Sequence, residues 1–178
     1  MSWIWWAPLA AAALHIVEEF FWPGGFPEWD RAYRAGIASS ITPRLHFWVN
    51  AALLYLCAMV WLAGAEYEGA PLRVRGLFSG GMAPAAWLGV MALLASNAIW
   101  HLVGTIRSRT LSPGLRTGLA LYLPLTAYGY FHFLHRGEVP VGTALLAAAI
   151  GGSYHLWAAF LHARRASART AANERPRE

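Results

Sequence analysis

Residues 3–25 read WIWWAPLAAAALHIVEEFFWPGG. As far as Leu14 the stretch is aromatic and aliphatic, and then His15, Glu18 and Glu19 arrive before Pro23-Gly24-Gly25 stops the helix. About 20 such residues suffice to cross a bilayer core. A charge near the bilayer centre costs about 2.5–3.5 kcal/mol on insertion scales, so three ionisable groups here need partners, water or a metal. Whether they have them depends on the rest of the chain.

The rest of the chain repeats the apolar pattern. Hydrophobic residues make up 57% of its 178 positions and charged residues only 13%, against about a quarter in soluble domains. Apolar segments long enough to span fall at roughly 3–22, 44–64, 83–106, 115–135 and 140–162. Thr42-Pro43, Gly80-Gly81, Ser112-Pro113-Gly114 and Val139-Pro140 punctuate them, and Pro124 interrupts the fourth. The expected fold is all-α: one polytopic membrane bundle over residues 1–163, followed by an Arg-rich, disordered cytoplasmic tail over 164–178. The lone Cys57 excludes an internal disulfide and a cysteine-based metal cluster. No basic segment precedes the first apolar run, so a cleaved signal peptide is not expected.

Every cationic side chain is an arginine, and their placement explains the net charge of +5 without nucleic acid. With the N-terminus outside, Arg31, Arg34, Arg44, Arg107, Arg109, Arg116, Arg164, Arg165, Arg169, Arg175 and Arg177 are cytoplasmic. Only Arg73, Arg75 and Arg136 are external, and eleven against three fixes N-terminus out and C-terminus in.

Orientation converts sequence position into depth at about 1.5 Å per residue. His15, Glu18 and Glu19 on the first segment then share a cytoplasmic-side slab with Asn97 and His101 on the third and His155 on the fifth. His46 and Asn50 on the second lie at similar depth, His46 reading as a headgroup-level residue and Asn50 equally as packing glue. His132 and His135 fall near the opposite face, and His162 at the interface. His15 can share a helix face with Glu18 or Glu19, whereas the two glutamates diverge by about 100° and cannot do the same job. A polar network clipping helices together is the bland explanation, and a site is the functional one. Gly104 and Gly151-Gly152 allow close helix packing or a dimer face within a homo-oligomer.

The stretch LHIVEEFFWP resembles the signature of the HXXEE-domain family of bacterial integral-membrane proteins. SNAIWHLVGTI and RTLSPGLRTGLALYLPL resemble that family's second and third recurrent segments. The resemblance implies a multi-span protein of the bacterial cytoplasmic membrane with a His/Glu site, and it supplies no substrate. It covers His15, Glu18, Glu19, Asn97, His101 and the Ser112-Pro113-Gly114 turn, while His155 rests on depth alone.

Imidazoles with one or two carboxylates suit zinc, iron or manganese. The H-E-x-x-H zinc helix is absent, and two embedded acids are too few for a carboxylate-bridged di-iron bundle. The leading expectation is a metal-dependent membrane enzyme acting on a lipid or another apolar small molecule. His15, His101, His155 and one of Glu18 and Glu19 are ligands, the other glutamate is a general base, and Asn97 is an orienting residue. The alternatives are a metal-free acid–base enzyme (an isomerase or a terpene-cyclase-like protein) and a proton or metal carrier.

Overall fold

The computed structural model describes residues 2–71 and 80–173, and every regular element among them is helical. Arg73, Arg75, Arg175 and Arg177, used above for orientation, lie outside the described residues. The first apolar segment forms α1 (Trp3–Phe20), and the short α2 (Phe26–Tyr33) and a 3-10 turn (Ala35–Ser40) follow. α3 (Pro43–Tyr67) and α4 (Ala83–Ser108) are the two long hydrophobic helices. The fourth apolar segment is a single turn, α5 (Leu115–Thr117), then a π-helical stretch (Gly118–Tyr122) and α6 (Leu123–His135). The fifth divides at Ser153 into α7 (Val141–Gly152) and α8 (Tyr154–Asn173). Residues 164–173, expected to be disordered tail, therefore continue α8.

Among the described residues, three helices are long and apolar enough to cross a membrane: Pro43–Tyr67, Ala83–Ser108 and the run Val141–Arg165. They point to a membrane protein. The other two expected spans are helical as well, but they differ from these three for physical reasons. α1 carries His15, Glu18 and Glu19 within its 18 residues, and the fourth segment is broken by its π turn. That turn immediately precedes Pro124, which brings no backbone donor to the helix, so the irregularity sits where the hydrogen-bond ladder is interrupted.

α4 is the hub of the bundle and touches α1, α3, α6, α7 and α8. One contact shows how sequence dictates packing. Pro8 inside α1 cannot donate to the Ile4 carbonyl four residues earlier, and the buried Trp87 indole of α4 donates to that oxygen instead, at 2.7 Å. Trp5, Trp87 and Phe133 then stack into the core at this end of the bundle. α1 lies close on α3 because Gly64 has no side chain, and a Cβ there would sit 2.1 Å from the Trp5 ring. Gly104 likewise takes the Trp29 ring of α2, and Gly151 takes the backbone of α4, so both serve packing within the chain.

At the other end the 23–43 segment folds back under the helices instead of trailing into solvent. Thr42 caps α3 by accepting the Leu45 amide at 3.2 Å, with Pro43 in the first turn. Asp30 is fully buried and paired with Arg34, and His46 Nε2 approaches its Oδ2 at 3.7 Å. Burial disfavours the Asp30 carboxylate, but His46 and Arg34 outweigh burial and hold it below the ordinary carboxylate range. The Ser40 hydroxyl donates to the Ile37 carbonyl at 2.8 Å and so accepts from His162 Nδ1 at 2.9 Å, tying α8 to the 3-10 turn.

Candidate metal centre

The α1 periodicity puts His15 and Glu19 on one face, and the structure turns that face toward α4. Glu19 Oε1 lies 3.3 Å from His15 Nε2 and 3.0 Å from His101 Nε2, with all three residues buried. One ligand atom from each lies within 4.8 Å of the other two. Neither Nε2 atom has a hydrogen-bond partner among the described residues, although each is buried. Two imidazoles therefore converge on one carboxylate oxygen without the directed N–H bond that would satisfy them. Ligand atoms about 2.0–2.2 Å from a tetrahedral ion stand roughly 3.3–3.5 Å apart, close to the two separations seen here.

The opposite edges of the two rings are fixed by hydroxyls. Thr117 donates its hydroxyl proton to Glu18 Oε2 at 2.6 Å, so its oxygen can only accept from His15 Nδ1 at 2.9 Å. That network places a proton on His15 Nδ1, so in the neutral ring the Nε2 lone pair faces Glu19. A lone pair facing a carboxylate is repulsive unless a cation lies between them. His101 repeats the pattern, with its Nδ1 2.7 Å from the buried Ser112 hydroxyl and the Ser112 amide held by Thr105 Oγ1 at 2.9 Å. Hydroxyls and carboxylates behind metal-bound histidines orient rings in this way.

The structure also separates the two glutamates. Glu18 points to the start of α5, where it accepts the Arg116 amide at 3.2 Å and the Thr117 amide at 2.7 Å in addition to the Thr117 hydroxyl. It caps that helix from outside, at the positive end of its dipole. Glu18 was expected as a ligand or general base, but all three of its partners are donors from α5, and it stands apart from the three-residue group. Its link to the group runs through Thr117 to His15.

Gly114 closes the site. Its φ is +95°, and a Cβ there would lie 2.8 Å from His15 Cε1, 2.9 Å from Glu19 Cγ and 3.0 Å from His101 Cε1. The Ser112-Pro113-Gly114 stretch, which reads from sequence as a helix start, is thus a wall of the centre. Tyr122 completes another wall: its ring centroid is 4.7 Å from that of His15, and its buried hydroxyl has no partner. Thr117 and Tyr122 were not read as site residues. Their sequence signal is that both fall within RTLSPGLRTGLALYLPL, just after the Ser-Pro-Gly turn.

Beside the three-residue group lies a polar cavity of about 90 Å³. Glu19 and His101 line it, with Asn97, His155, His46 and Asn50 around them. Asn97 Oδ1, His155 Nε2 and His46 Nδ1 are buried there without hydrogen-bond partners. His155, expected as a ligand, instead stacks flat on Trp100 at 5.5 Å and belongs to the cavity wall, not to the group around Glu19. Trp100 also carries the Arg34 guanidinium over its ring at 5.2 Å. His132 and His135 stack on Tyr128 and Phe131 and take no part in the cavity lining.

The Thr117 hydroxyl gives this arrangement a direct test. Thr117→Val keeps the shape of the side chain but strands His15 Nδ1 and removes a donor from Glu18. Metal affinity is expected to fall about 10–100-fold, read by competition with a chromophoric chelator, with the helical circular-dichroism spectrum retained.

Comparison with curated proteins and with solved structures finds no match. A family model described as "Protein of unknown function with HXXEE motif" matches residues 6–129. That range spans α1 to most of α6 and includes every residue of the His15–Glu19–His101 group together with Ser112, Gly114, Thr117 and Tyr122. The chain belongs to the HXXEE family.

Proposed function

We propose that this protein is a metal-dependent enzyme of the bacterial cytoplasmic membrane that acts on a lipid or another apolar small molecule. His15, Glu19 and His101 hold one divalent ion, zinc, iron or manganese. The observation that carries this reading is the pair of buried, partnerless Nε2 atoms aimed at one carboxylate oxygen, with both Nδ1 edges engaged by hydroxyls. Two imidazoles and one carboxylate are also the donor set of several hydrolytic zinc sites, which keep a coordination position for water or substrate.

The ion, when bound, supplies Lewis acidity and an acidified water. The remaining work falls to the chain itself. Glu18 and Thr117 hold the His15 ring in one tautomer, and Ser112 holds the His101 ring. Gly114 and Tyr122 exclude solvent from the buried side of the group. Asn97 offers a carbonyl oxygen to orient substrate in the cavity, and His155 offers a ring nitrogen able to accept or donate a proton. A metal-free acid–base enzyme is the second reading, favoured by the 3.0 Å contact through which Glu19 and His101 would share a proton.

Elemental analysis of the purified protein separates the two. About one divalent ion per chain is expected, released by chelator. Protein that stays below a tenth of an ion per chain after incubation with zinc, iron(II) and manganese would refute the metal reading.

A further inference from the structure

A cavity of about 90 Å³ has the bulk volume of only about three waters, whereas ligand pockets run to roughly 300–1,000 Å³. It can therefore hold the reacting group of a substrate but not the whole molecule. The remainder needs a second compartment, and the structure has one next to it. α4 and α7 meet so closely at Gly89 and Gly151 that a Cβ on Gly151 would lie 2.1 Å from the Gly89 carbonyl oxygen. Small side chains at Ala85, Ala86 and Ala147 keep the surface beside that contact low, while Leu146 and Ile150 stand 60% and 66% exposed along it. The outcome is an apolar groove of about 480 Å³.

Tyr154 lines both the groove and the polar cavity. Along α4 the groove takes residues from Ala85 to Leu93, and the cavity takes over at Asn97, one turn further on. The two compartments are therefore consecutive, with the polar one at the end of α4 that the arginines place on the cytoplasmic side. A lipid of the cytoplasmic leaflet has the same polarity, head toward the cytoplasm and chain toward the bilayer centre. Arg34 is already paired with Asp30, so the cavity has no spare fixed cation for a multiply charged head. Among the described residues, the atoms around it without hydrogen-bond partners include His46 Nδ1, His155 Nε2 and the Asn97 amide oxygen.

We infer that the substrate is a single-chain amphiphile with a compact, oxygen-bearing head (carboxyl, ester or alcohol), its head in the polar cavity and its hydrocarbon chain in the α4/α7 groove. This deepens the enzymatic reading and rests on it for the role of the head group.

A photoreactive, diazirine-bearing palmitate incubated with the full chain in nanodiscs tests the inference. Labelling is expected to concentrate on peptides of α4, α7 and the start of α8, around Leu93 and Tyr154, and to be competed by unlabelled palmitate. Ala86→Trp, or Ala147→Phe if the first variant misfolds, fills the groove and should reduce that labelling at least tenfold. Leu145→Trp, on an exposed α7 position outside the groove, should leave it unchanged, and bound metal should be the same in all of these proteins. Labelling spread evenly over the apolar helices and indifferent to Ala86→Trp would overturn the inference. Competed groove labelling in protein that binds no metal would uphold the chain site while refuting the metal reading.

Discussion

Replacing His101 with alanine is expected to abolish stoichiometric metal. The variant removes one of the three proposed ligands and should weaken binding by at least a hundredfold, beyond the roughly 10–100-fold cost of losing an outer hydrogen bond. Glu19→Gln should behave similarly, because an amide oxygen presents no charge to the ion and Glu19 is the one carboxylate that both imidazoles face. Glu18→Gln provides the contrast. It keeps an acceptor oxygen for one α5 amide, so metal should still bind, with the affinity loss expected of a group that acts through Thr117. Metal content and chelator competition on the three variants read out the ranking. Equal losses from Glu18→Gln and Glu19→Gln would contradict the distinct roles assigned to the two adjacent glutamates.

Gly114→Ala should be the most damaging single-methyl change in the site. A non-glycine residue at φ +95° costs about 1–3 kcal/mol in backbone strain, and forcing a methyl into a packed site typically costs another 1–3 kcal/mol. The new Cβ would press on His15, Glu19 and His101 together, so destabilisation of about 2–6 kcal/mol should come with lost metal. Gly137→Ala is the matched control: its φ is +67°, but nothing lies within 4 Å of a Cβ there, so it carries only the backbone cost. Thermal unfolding in detergent, with and without added zinc, should show a large drop for Gly114→Ala that zinc does not recover. For Gly137→Ala the drop should be smaller and zinc stabilisation intact. Equal behaviour of the two would remove Gly114 from the wall of the centre.

Helix ends were legible because they depend on local chemistry. Pro43, Ala83, Leu115 and Val141 begin helices within a residue of the expected starts, each beside a proline or glycine that sets the backbone. Residues 164–173 of the expected tail continue α8 because composition describes polarity, and the alanine and arginine there are also good helix formers. Periodicity put His15 and Glu19 on one stripe, where they meet, and Asn97, His101 and His155, expected at one depth, line one cavity.

Rotation of each helix about its axis is a different kind of quantity, because it depends on partners far away in sequence. Spacing allowed His15 to pair with either glutamate. Glu19 faces inward because α1 is held against α4 by the Trp87–Ile4 bond, and because the α5 amides 98 and 99 residues away claim Glu18. Depth could not show that His155 would stack on Trp100, nor that Thr117 would complete a hydrogen-bond chain to His15. The sequence alone determined that a layer of His, Glu and Asn is buried among apolar helices, since hydrophobic length and the cost of unpaired charge leave little choice. Only the tertiary structure decided which atoms meet, since a contact between α1, α4 and the Ser112–Thr117 turn forms only when non-local packing fixes all three at once.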